Sequence, residues 1–141
     1  MSILRTPSNA ALLRPSNLPA FNRGGGARTT PLVAPSLGAA SFITGITEFE
    51  AGVAIPFHCH NCEESVVLLE GEAVMDIDGQ EHPLQPLDTT YIPANVMHRF
   101  RNISSTKPMK ILWIYANANA TRTLRDSGQT NPVSLEHHKK A

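Results

Sequence analysis

From Pro31 onward, apolar and polar residues alternate in short runs broken by Gly, Pro, Asp and Asn. A period of two predicts β-strands rather than helices. Strands are expected over 31–34, 41–48, 53–60, 64–70, 72–78, 80–85, 88–92, 97–103 and 109–116. Val66-Val67-Leu68-Leu69 is a continuous apolar run, which predicts a strand covered on both faces. Glu70-Gly71 and Asp78-Gly79 read as turns between short strands, and so as hairpins. The last well-marked strand is Lys-Ile-Leu-Trp-Ile-Tyr, Lys110 to Tyr115, and core packing is the default for its Trp113.

The pattern is weaker at both ends. Residues 1–30 carry Pro, Ser, Asn, Gly and Arg and no acidic residue; the first is Glu48. That composition resembles an organelle-targeting peptide, but Pro7, Pro15 and Pro19 break the amphipathic helix such a peptide needs. An extended arm packed on the body, or on a second subunit, is expected instead. After Ala116 the alternation fades. Thr121-Arg122-Thr123-Leu124 has no chemical reading, and Glu136-His137-His138-Lys139-Lys140 reads as a frayed terminus. The expected organisation is an arm over 1–30, one all-β domain over 31–116 and an irregular tail over 117–141.

Composition narrows the class. A chain of 141 residues suffices for one domain with a real core. With 17% charged residues, 41% apolar ones and zero formal net charge, neither a disordered chain nor a basic nucleic-acid-binding surface is expected. No apolar run approaches the roughly 20 residues that span a bilayer. The only cysteines, Cys59 and Cys62, form a C-x-x-C pair without the second half of a zinc site. They imply no oxidising compartment, and a cytoplasmic location is expected.

The chemistry concentrates between Gly52 and Gly71. Side chains two apart on a strand share a face, so His58 and His60 aim their imidazoles at one point and Cys59 faces away. One tight turn returns Glu64 beside them. His98 follows a second segment, Leu87 to Pro93. Imidazoles with one carboxylate form a ligand set for a divalent transition metal. Glu63 competes with Glu64, but only one of two neighbours on a strand points inward. His82 has no partner in the pattern and is expected at the surface.

These residues resemble the first motif of the cupin superfamily, with Gly52, His58, His60, Glu64 and Gly71 all in place. The second motif is matched at Pro93, His98 and Asn102, while Leu87 and Asn95 stand where glycine is usual. Asn tolerates a left-handed backbone, so Asn95 can make the same turn. The resemblance implies a jelly-roll β-barrel with His58, His60, Glu64 and His98 as metal ligands. It implies one divalent transition metal per chain, Fe(II) preferred, with Mn, Ni, Zn, Co or Cu as alternatives. Phe42, Phe57, Met75, Ile77, Met97 and Phe100 are candidates for the apolar wall, and Phe100 shares the parity of His98.

The first expectation for function is a metal-dependent oxygenase of an enolisable or aromatic small molecule, with Glu64 as ligand or base. The alternatives are a redox-neutral isomerase, lyase or cyclase, for example on a polyketide-like substrate, and a non-catalytic binding barrel. The partners expected are a small-molecule substrate and a second copy of the chain, with neither nucleic acid nor membrane.

Overall fold

The structure is a computed structural model that describes residues 3–137. In chain order the strands are β1 (Ile3–Arg5), β2 (Ala11–Leu13), β3 (Phe21–Gly24), β4 (Ala27–Pro31), β5 (Ile43–Phe49), β6 (His58–His60) and β7 (Glu64–Glu70). They continue as β8 (Ala73–Ile77), β9 (Gln80–Leu84), β10 (Thr89–Ile92), β11 (His98–Asn102), β12 (Met109–Tyr115), β13 (Thr121–Leu124) and β14 (Thr130–Pro132). One sheet has the order β10-β7-β12-β5-β4-β3, and the facing sheet β14-β13-β6-β11-β8-β9. Pairing is antiparallel throughout, as in the expected jelly roll. No helix among the described residues is long and apolar enough to cross a membrane.

Alternation decides what faces inward. Along β5 and β12 every second residue is buried, from Ile43 to Phe49 and from Met109 to Tyr115. Val66, Leu68, Ile92, Phe100 and Ile111 join them in one apolar core. The buried polar groups within it are paired: Trp113 Nε1 donates to Thr47 Oγ1 at 2.9 Å, and Thr47 and Thr29 share a 2.8 Å hydroxyl bond. Trp113 lies directly over Gly45, where any added Cβ would meet its Cζ2 at 2.1 Å. The indole is therefore core, as the default reading has it. Within that apolar run Val66 and Leu68 are fully buried while Val67 and Leu69 are half-buried, so it is covered less evenly than expected.

Turn chemistry matches in one case and differs in another. Asp78 and Gly79 both have positive φ, 53° and 73°, as a two-residue hairpin between β8 and β9 requires. Glu70-Gly71 makes no hairpin, because β7 and β8 belong to different sheets. The turn carries the chain across the barrel edge. Gly71 has φ 94°, and a Cβ there would meet the Pro108 carbonyl oxygen at 2.6 Å. The second-motif Asn102 is a structural clamp. Its Nδ2 donates to the carbonyls of Phe49, Glu50 and Lys107, and its Oδ1 accepts from Ser104 N–H.

Strands also form in both stretches that the sequence pattern leaves outside the barrel. Residues 1–30 include β3 and most of β4, which extend the first sheet beyond β5. Residues 117–137 include β13 and β14, which extend the second sheet beyond β6, and a 3-10 turn, Val133–His137. Val133 is 2% exposed, so this turn is packed rather than frayed. His138, Lys139 and Lys140 lie outside the described residues. Both corrections share a cause: pairing partners distant in sequence supply the order that weak local patterns do not show.

Candidate metal centre

The second sheet places three imidazoles on its inner face. β6 is only three residues long: Pro56, without an N–H, interrupts the ladder, which resumes at the bridge between Ala54 and Arg101. His58 of β6 pairs with His98 of β11, and directly opposed residues share a face. Glu64 opens β7 in the facing sheet, opposite Tyr115 of β12 and Ile92 of β10. The turn between His60 and Glu64 therefore crosses from one sheet to the other. It is held by the 2.8 Å bond from Asn95 N–H to His60 O, and by Asn61, whose Oδ1 accepts from Thr121 N–H. Asn95 has φ 65°, the left-handed turn expected of it.

His58, His60, Glu64 and His98 are 0–3% exposed, and their ligand atoms lie within 4.8 Å of one another. All three rings are oriented in the same way. Nδ1 of His58 sits 2.9 Å from the carbonyl oxygen of Pro56, Nδ1 of His60 from that of Thr121, and Nδ1 of His98 from that of Val96. A carbonyl only accepts, so each Nδ1 carries the proton and each neutral ring turns its Nε2 lone pair inward. Inside, His98 Nε2 is 2.8 Å from Glu64 Oε1, and His60 Nε2 is 3.2 Å from Glu64 Oε2.

Those contacts set lone pairs against a carboxylate. His60 Nε2, His98 Nε2 and Glu64 Oε1 are fully buried without a hydrogen-bond partner. Burying such atoms unpaired is costly, and a shared cation removes the cost. The donor set of three imidazole nitrogens and one carboxylate suits a first-row transition metal rather than Ca or Mg. The residues fit the group. Burial, then the charge of Arg122, pushes the His58 imidazolium well below its usual range, which keeps the ring neutral.

The other candidates separate cleanly. Glu63 is exposed and accepts a hydrogen bond from the Tyr91 hydroxyl, so it is no ligand. His82 is exposed on β9. Cys59 faces away from the imidazoles, and both cysteines are free thiols. Phe100 is 1% exposed with its ring 5.8 Å from that of His98, and Met75 and Ile77 pack against the core. Phe42 is 44% exposed, and Phe57 lies under the guanidiniums of Arg99 and Arg125. Neither wall candidate holds. Met97 is half-buried.

The sequence pattern misses a set of residues around the centre. Arg122 of β13 pairs with His60, which places it on the inner face, and Thr121 supplies the carbonyl that orients His60. Tyr115 sets its ring 4.3 Å from that of His60; burial, then the Glu64 charge, pushes its phenol well above 10. Arg23 of β3 reaches Glu136 of the 3-10 turn at 2.8 Å, and Arg122 reaches the same carboxylate at 3.4 Å. Burial and the neighbouring Arg122 lower Arg23 to about 10. Thr-Arg-Thr-Leu has no apolar alternation, so nothing local marks its inward arginine.

A family model described as "Cupin domain" matches residues 45–115, which hold all four metal-binding candidates. Polyketide synthase CurC of Streptomyces cyaneus is 37% identical over 86 residues, covering 60% of this chain and 55% of CurC, so the match spans about half of that protein. Protein SchB of Streptomyces halstedii is 33% identical over 98 residues, covering 69% of this chain and 71% of SchB. Among solved structures, the polyketide cyclase RemF from Streptomyces resistomycificus superposes with a TM-score of 0.70 at 19% identity, over 86% of this chain and 84% of RemF. At that identity the likeness concerns the fold.

Proposed function

The chain belongs to the cupin family, and from that premise we propose that it is a metal-dependent enzyme that cyclises a polyketide-like substrate without net redox change. The observation that carries the enzyme reading is the converging, buried set of His58, His60, Glu64 and His98 with its orphaned inward atoms. The substrate class is supported by the relationship to CurC, named a polyketide synthase. Fold alone does not choose a reaction, so the oxygenase first expected from the sequence becomes an outcome of the test.

In such a reaction the enol carbon of one ketone bonds to the carbonyl carbon of another. The π pair moves onto that carbonyl oxygen, a proton follows, and water is lost. Bound at the four ligands, a divalent metal supplies Lewis acidity toward a carbonyl or enolate oxygen. The chain's own residues do the rest. Carbonyls of Pro56, Thr121 and Val96 lock the imidazoles, so the donor atoms need no rearrangement. Glu64, whose two oxygens face the Nε2 atoms of His98 and His60, is placed as a ligand rather than as a free base. Phe100 and Val66, 1% and 0% exposed, exclude water around the site.

The test uses metal-free protein reloaded with Zn(II) or Fe(II) and a linear poly-β-ketone thioester analogue. With Zn(II) and no oxygen, the product should weigh one water less than the substrate. His98→Ala should bind zinc more than about a hundredfold more weakly, beyond the 10–100-fold that loss of an outer partner costs. It should form no product. Turnover only with Fe(II), with oxygen consumed and incorporated, would replace the cyclase with the oxygenase.

A further inference from the structure

The Arg23–Glu136–Arg122 cluster is more positive than its position requires. Arg122 lies on the inner face opposite His60, and the two arginine side chains are 11% and 9% exposed. One carboxylate is shared between two buried guanidiniums, which leaves a positive charge without an anion of its own among the described residues. Glu64 makes its contacts with His60 and His98 and none with either arginine. The shared contact is also poor: Arg122 Nε and Glu136 Oε1 are buried, 3.4 Å apart, and make no hydrogen bond. An anion that met the guanidiniums in better geometry would lower that cost.

Glu136 sits on a five-residue turn whose anchor is Val133, buried and bonded through its N–H to Ala120 O at 2.9 Å. Three residues further on, Glu136 can leave the arginines without disturbing the barrel strands. Against the same turn lies a cavity of about 670 Å³, bordered by Ile43, Trp113, Ala120, Thr121 and His137. Its walls are mostly apolar and its volume suits a small organic molecule. The cavity touches none of the four metal-binding residues, but Thr121, on its border, neighbours Arg122 and orients His60.

We propose that Arg122 and Arg23 form an anion-recognition site that takes the enolate, phenolate or carboxylate of the substrate in place of Glu136, while the apolar part of the substrate occupies the adjoining cavity. This deepens the cyclase reading and rests on it for the identity of the substrate. Glu136 then stands in for the substrate's oxygen anion and must be displaced before substrate engages. An acidic substrate is thereby favoured over its neutral isostere, because only an anion compensates the guanidiniums that Glu136 leaves.

The test needs no turnover. The probe is salicylate, the control is neutral salicyl alcohol, and the signal is fluorescence of Trp113, the single tryptophan, whose ring stacks on Tyr115 and His137. In metal-free protein, Glu136→Gln should bind salicylate at least tenfold tighter than the wild type and gain nothing for salicyl alcohol. Adding Arg122→Gln should cancel that gain, with thermal melting to confirm a folded chain. If Glu136→Gln gains nothing for salicylate, or gains equally for the alcohol, the proposal is overturned whatever the double variant does. Zinc stoichiometry, measured in parallel, separates the two readings. Zinc binding without a salicylate gain removes the anion site alone; a gain without zinc binding removes the metal enzyme alone.

Discussion

At the scale of single residues, Leu87 shows how an unfavourable choice persists. It occupies the left-handed region at φ 77°, where the family pattern has glycine, and is 74% exposed. The turn from Gln85 to Asp88 closes through Asp88 N–H to Gln85 O at 2.9 Å, and Asp88 Oδ2 accepts from Gln85 N–H. A left-handed conformation costs a branched residue about 1–2 kcal/mol, and no burial offsets it here. Glycine removes that strain but gains freedom in the unfolded chain, worth about 0.4–1 kcal/mol. Leu87→Gly should therefore stabilise the protein by about 0.5–1 kcal/mol in urea unfolding. A loss of stability would mean that the exposed leucine is buried against something beyond one chain.

At the scale of elements, the outer face of the second sheet holds an ionic ladder. Asp76 of β8 accepts from Arg99 and Arg101 of β11, each at 2.8 Å, and Arg101 also reaches Glu81 of β9. These contacts tie together the strands that carry His98 and its neighbours. Burial pushes the Asp76 carboxyl up, but the guanidiniums of Arg101 and Arg99 outweigh it and hold it below the ordinary range. A depressed carboxyl stabilises the fold above its unfolded pKa, and that stability is lost as pH falls through the folded value. Asp76→Asn should cost about 1 kcal/mol near pH 7, allowing for solvent screening. Its stability should then differ less from that of the wild type as the pH falls below about 4. A pH-independent difference would show that the ladder acts through packing rather than charge.

At the scale of the whole molecule, the β1–β2 hairpin stands apart because it pairs with neither sheet. Its tie to the body includes the hydrogen bond from Arg5 to Leu37 O, while Leu4 and Leu12 are 58% and 44% exposed. Edge strand β9 guards itself with Glu81, His82 and Pro83, and the hairpin carries no such protection on its leucines. We propose a homodimer in which the hairpin packs on the second copy. Covering the exposed half of each leucine is worth about 1 kcal/mol, part of the roughly 1.5–3 kcal/mol for burying a whole side chain. Light scattering at micromolar concentration should give twice the chain mass, and a variant lacking residues 1–14 should give one chain mass. A monomeric full-length chain rules the dimer out.

Much of the site was legible from local periodicity. Residues two apart on a strand share a face, which is enough to pair His58 with His60 and to turn Cys59 away. That one of Glu63 and Glu64 points inward follows from the same alternation, the motif spacing singles out Glu64, and Asn95 follows from the backbone freedom of asparagine. Tertiary structure alone decided what those groups meet. That Glu64 faces the imidazoles from the other sheet depends on the chain crossing the barrel between His60 and Glu64. The carbonyl that orients His60 comes from Thr121, 61 residues away. Arg122, Arg23 and Glu136 reach one another from β13, β3 and the final turn, none of which has a strong pattern of its own. Alternation records which face a residue takes once it is paired; the partner across the barrel is chosen by closure of the two sheets, and no local stretch of sequence carries that choice.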